Sequence, residues 1–75
     1  MDPLAQEVTV TQKHPLMKFF AYDHLVGKAR GISEKFHWFA EMLDERLTDS
    51  AEKTVTMRKL LEAKDAGVRS TFYGP

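Results

Sequence analysis

The side chains of this chain with chemistry to offer are cations and aromatics. Lys18, Tyr22, Lys28, Arg30, Lys64 and Arg69 stand out. A flat aromatic face stacks on a nucleobase with a worth of ~1–3 kcal/mol per base. Lysine and arginine pair with phosphates, arginine through a planar fork. Each cation alone reads as a solvated charge. Together they suit a small anionic ligand that carries flat bases. The three histidines, His14, His24 and His37, give no pair with the spacing of a zinc-binding helix. Glu41, four residues after His37, is an ordinary helix pairing. No metal ion or cofactor is therefore expected. No serine or threonine has a visible partner base, and no glycine-rich phosphate loop occurs. The residues carry no enzyme signature, and the expectation is a protein that binds without turnover.

These groups need elements to position them. The stretch "HPLMKFFAYDHLVG", residues 14 to 27, holds two Phe and a Tyr ahead of the first long helical pattern. Pro15 suits the first position of a helix. The apolar residues Leu16, Phe19, Phe20 and Leu25 predict a short helix or turn that folds back, with Gly27 as its stop. Leu16, Phe19 and Phe20 are expected to lie over the core as a lid, with Asp23 and His24 fixing the turn. From Lys28 the residues Ala29, Ile32, Phe36, Phe39, Leu43 and Leu47 recur at three- and four-residue steps. That predicts one apolar stripe on a helix of about five turns. His37 and Trp38 lie off the stripe.

"LTDSAEKT" breaks the pattern. Asp49 followed by Glu52 has a capping-box form, and Ser50 is an equally good N-cap. A second helix is predicted from about Ala51 to about Arg69, with Val55, Met57, Leu60, Leu61, Ala63 and Val68 as its apolar positions. Phe72 and Tyr73 follow it and are candidates to dock on a neighbour. A short link between helices makes them antiparallel. The expected fold class is all-α: a two-helix antiparallel hairpin preceded by a short helix. Residues 1–13 read as a flexible arm dispensable for folding, 14–70 as the hairpin domain and 71–75 as a tail.

Composition bounds the rest. With 75 residues the core is marginal, and a domain below ~70–80 residues rarely gains more than ~3–5 kcal/mol from its core without a staple. There is no cysteine, so no disulfide or thiolate metal site can serve. Self-association remains, and a homo-oligomer is expected. Eleven basic residues balance eleven acidic ones, which argues against a general DNA binder. No apolar run approaches the ~20 residues of a membrane helix, and the N-terminus has no secretory pattern. A cytoplasmic protein with no membrane partner is expected.

"HPLMKFFAYDHL", "ISEKF" and "TMRKLLEAKDAGVRS" resemble motifs of small phage-encoded helical-hairpin proteins. Those are similar to the broader family of anti-CBASS and anti-Thoeris sponges, which sequester cyclic oligonucleotide or cyclic ADP-ribose signals of bacterial immunity. The resemblance covers residues 14–70. It implies immune evasion inside an infected bacterial host, and hairpins assembled into homohexamers as a trimer of dimers. Cyclic dinucleotides would bind between protomers, and cyclic trinucleotides near the threefold axis. The stacking Tyr of the family falls on Tyr22, at the mouth of a pocket between subunits, and the Leu of the same turn on Leu25. The phosphate-contacting Lys falls on His37, a departure that would leave Lys28 or Lys35 to supply the charge. The Arg that holds the trinucleotide falls on Arg69. Lys64 is a further cation candidate. A different reading is an interaction protein that inhibits a host protein through Trp38, Phe72 and Tyr73, since aromatics dominate interface energies.

Overall fold

The computed structural model describes residues 13–73; of the expected arm over residues 1–13, all but Lys13 lies outside them, and Lys13 bonds to Glu41 at 3.0 Å. A 3₁₀-helix, Pro15–Phe20, is followed by two α-helices, here α1 (Gly27–Arg46) and α2 (Ala51–Ser70). No strand occurs among the described residues. The predicted all-helical hairpin with a short leading helix is the observed order.

The leading helix starts as Pro15 suggested, with Pro at its first turn. His14 is its cap: Nδ1 accepts from the Leu16 N–H at 3.1 Å, and the Met17 N–H donates to the His14 carbonyl at 2.9 Å. The 3₁₀ form changes which residues go inside. Residues three apart eclipse in this helix, so Met17 and Phe20 share a face, and both are buried. Leu16 packs against the core from its edge, but Phe19 is 50% exposed. The expected lid of Leu16, Phe19 and Phe20 is thus corrected to Met17 and Phe20 with Leu16, because the period is three.

Backbone bonds make the turn to α1. The Leu25 N–H donates to the Tyr22 carbonyl at 3.0 Å across Asp23 and His24. Gly27 does not stop the preceding helix, which ended at Phe20. It has φ +63° and begins α1. That left-handed conformation is steric strain for any residue with a Cβ, and glycine removes it. Val26 caps α1 without a side-chain bond.

α1 and α2 run antiparallel, joined by residues 47–50. The pairing of Asp44 with Lys53 marks the loop end. At the other end Gly67 lies against Ile32 and Phe36, where an added Cβ would sit 3.4 and 3.6 Å from their side chains. The buried residues of α1 are Ala29, Ser33 and Ala40, with Phe36 and Leu43 half-buried. This face is rotated from the expected stripe. Ile32 and Phe39 are exposed by 38% and 48%. Small residues take the centre because they let the helix backbones approach closely, and the large ones fall to the flanks. On α2, Met57 is fully buried with Leu60 and Leu61 packed beside it, whereas Ala63 is exposed.

Lys53 is the tertiary knot of the loop end. Its ammonium reaches Asp44 Oδ1 at 2.8 Å, Asp49 Oδ1 at 2.9 Å and the Asp44 carbonyl at 2.8 Å. Asp44 Oδ2 accepts from the His14 N–H at 3.1 Å, so one carboxylate joins the leading helix, α1 and α2. His14 Nε2 also meets Thr54 Oγ1 at 3.1 Å. Burial alone would push the Asp44 carboxyl up, but the Lys53 bond and the His14 N–H outweigh it and hold the group below its usual range. Lys53 is held above the usual lysine value by its bond to Asp44, against the opposing effect of burial. Of the two candidate caps, Ser50 serves: its Oγ accepts from the Lys53 N–H at 3.1 Å. Asp49 is the partner of the Lys53 side chain instead.

Candidate ligand-binding surface

Tyr22 follows the leading helix by two residues, and α1 receives its ring. The Arg30 guanidinium lies over the Tyr22 ring, 5.3 Å from its centroid. The His37 ring meets Tyr22 edge-on at 5.2 Å. Arg30 and His37 are seven residues apart, which sets them on one face of an α-helix. The same face carries Glu34 and Glu41. A turn of two residues after Phe20 is enough to lay Tyr22 along this face, where it is half-buried.

His37 is fixed by polar contacts on both sides. Nδ1 lies 3.3 Å from the Phe20 carbonyl. Nε2 lies 3.2 Å from Glu41 Oε2. Trp38 meets the His37 ring edge-on at 5.1 Å and is 51% exposed. The resemblance marked Tyr22 and His37 as separate ligand contacts, and in the structure their rings meet. Sequence reading did not find Arg30 as the cation over Tyr22, although Arg30 was among the candidates. The turn residue Asp23 accepts from Arg30 through its carbonyl at 3.5 Å. His24 is exposed, and no side-chain bond from it supports the turn.

The other candidates lie elsewhere. Lys28 is exposed in the first turn of α1 and Arg69 is exposed in the last turn of α2. The antiparallel arrangement brings these two turns to the open end of the hairpin. Phe72 and Tyr73 follow there, exposed by 74% and 82%. Lys35 is exposed on α1. Lys64 is buried on α2 and pairs with Asp65 at 2.9 Å, so its charge is turned to its own helix. Tyr22, Arg30 and His37 therefore form one cluster, Lys28 and Arg69 share an end, and Lys35 and Lys64 join neither. Among the described residues no group of three or more metal-ligating side chains converges. No described helix is long and apolar enough to cross a membrane.

Ser33 Oγ is fully enclosed with no hydrogen-bond partner. It stands with Ala29 and Ala40 among the buried residues of α1. The small size of serine explains its presence there, and nothing in the structure explains the hydroxyl.

Comparison with family models, curated proteins and solved structures finds no match to this chain.

Proposed function

We propose that this protein binds cyclic oligonucleotides and sequesters them without cleaving them. The observation that carries the reading is the Tyr22 ring with Arg30 over it and His37 at its edge. It combines a flat face for a base with an exposed guanidinium for a phosphate. Arg30 is exposed; a base that takes the Tyr22 face displaces it outward, toward the ligand backbone. The sequence resemblance, which matches Tyr22 and Arg69 to ligand contacts, supports the same reading. A protein that sequesters must act by stoichiometry, so several sites on one particle suit it.

The apolar surface supports self-association. Among the described residues the buried apolar side chains are Met17, Phe20, Ala29, Ala40 and Met57, whereas Phe19, Val26, Ile32, Trp38, Phe39, Phe72 and Tyr73 are exposed. More large apolar groups face out than in, which marks an interaction surface. A homo-oligomer of hairpins covers it, and a hexamer suits the resemblance. Arg69 copies around a threefold axis would then address the repeated phosphates of a trinucleotide.

Calorimetry with a panel of cyclic di- and trinucleotides tests this, with recovery of the ligand after heat denaturation. Intact ligand is expected. Tyr22→Ala should weaken dinucleotide binding by ~1–3 kcal/mol. Arg69→Ala should remove about 1.5–3 kcal/mol per phosphate contact and abolish trinucleotide binding. A cleaved product would show an enzyme. A folded monomer that binds no member of the panel would favour the second reading, a host-protein inhibitor, which the exposed Trp38, Phe72 and Tyr73 support.

A further inference from the structure

A cavity of about 330 Å³ opens beside the leading helix, lined by Lys13, His14, Pro15, Met17, Lys18 and His37. None of these residues is acidic, and four are basic in type. Cavities that take small ligands start at ~300 Å³, so a phosphate ion alone would leave most of this one empty. Pro15 and the buried Met17 give it an apolar wall.

Its donors are unequal. Both His14 nitrogens are engaged, one with the Leu16 N–H and one with Thr54, so His14 offers only its ring face. Lys18 lies over the Phe19 ring at 5.3 Å, and among the described residues no carboxylate pairs with it. Lys13 and His37 converge on a single oxygen: Glu41 Oε2 is 3.0 Å from Lys13 Nζ and 3.2 Å from His37 Nε2. The Lys13 bond chiefly holds the Glu41 carboxyl below its usual range. One oxygen between donors from two segments is the arrangement an anionic ligand oxygen would take. Glu41 thus acts as an internal stand-in for such an oxygen.

We propose that this cavity is a binding site for a small organic phosphate, with Lys13, Lys18 and His37 as its donors and Glu41 as the displaceable occupant. The phosphoryl oxygens replace Glu41 between Lys13 and His37 and add Lys18, while the carbon body lies on Pro15 and Met17. The site shares His37 with the Tyr22 cluster and otherwise uses different residues. It does not rest on the cyclic-oligonucleotide reading.

The probe is phenyl phosphate, which has one phosphoryl group and no nucleobase, with inorganic phosphate and phenol as comparisons. NMR titration of the full chain follows the Met17 methyl and the His37 ring. Phenyl phosphate is expected to move both, inorganic phosphate to bind more weakly and phenol not to bind. Lys18→Gln should weaken binding at least about tenfold, the loss of one charge-assisted bond. Lys59→Gln, the same charge change at an exposed position on α2, should leave it unchanged. Glu41→Gln should tighten it several-fold. Equal losses from Lys18→Gln and Lys59→Gln would overturn the site, because only net charge would then matter. Equal binding of phenol would overturn it too, as would weaker binding by a folded Glu41→Gln. If Glu41→Gln fails to fold, the lysine pair decides alone, since both side chains are exposed. Failure of cyclic oligonucleotides to bind leaves this outcome unaffected.

Discussion

Replacing Lys53 by Met tests the joint that holds the three helices together. The Lys53 and Asp44 side chains are 4% and 9% exposed, so water screens the pair little. Removing one partner of a buried pair costs about 3–5 kcal/mol, mostly because the other charge is left uncompensated. Asp49 is 93% exposed and adds little. A core of this size supplies ~3–5 kcal/mol in total, so Lys53→Met should lose most of its helicity at 25 °C. The assay is circular dichroism against urea at one protein concentration, because association would shift the midpoint. Adding Asp44→Leu to Lys53→Met should restore stability, since no buried charge remains. The His14 N–H then loses its acceptor, which takes back about 1–3 kcal/mol.

The pH dependence of the same variants gives a second check. In the wild type the Asp44 carboxyl lies below its unfolded value, so its contribution is present above ~3.9 and is lost as pH falls through the lower folded value. The Lys53 ammonium lies above its unfolded value, so its contribution is present below ~10.4 and is lost as pH rises through the folded value. Between those limits the pair's contribution is flat. In Lys53→Met, burial acts on Asp44 with its main opponent gone and raises the carboxyl. Stability should then increase as pH falls from about 7 to about 4, a range over which the wild-type pair contributes a constant amount. A loss below ~1 kcal/mol in Lys53→Met would place the pair among surface bridges and refute the reasoning. So would a double variant no more stable than the single one.

The remaining predictions concern the helix ends and glycines, read from urea midpoints. Gly27→Ala should destabilise by about 1–2 kcal/mol because φ is +63° there, whereas Gly31→Ala should stabilise by up to ~1 kcal/mol because a Cβ meets nothing within 4 Å. Ser50→Ala should lose about 1 kcal/mol with its cap bond to the Lys53 N–H. Asp49→Ala should change stability by less than ~1 kcal/mol, since its side chain is almost fully exposed.

The sequence by itself determined the helices and their order. Periodicity, Pro15 and Ser50 are local signals, and capping depends on atoms within three residues. Hence α2 begins at Ala51 as read, and a link of residues 47–50 leaves antiparallel helices as the short-range solution. The resemblance, rather than any local pattern, marked Tyr22 and His37 as separate ligand candidates. Tertiary structure decided which face of each element turns inward. An α-helical period predicted Ile32, Phe39 and Phe19 inside, yet close helix approach favours Ala29, Ser33 and Ala40, and the 3₁₀ period favours Met17 with Phe20. It also decided the partners of charges. Lys53 and Asp44 are nine residues apart with nothing in local pattern to join them, and His14 reaches Asp44 across thirty. Lys13 and Glu41 meet across twenty-eight. Such bonds depend on the rotation of one helix about its axis relative to another. That rotation follows from side-chain shape summed over the whole interface, a quantity that residue spacing does not encode.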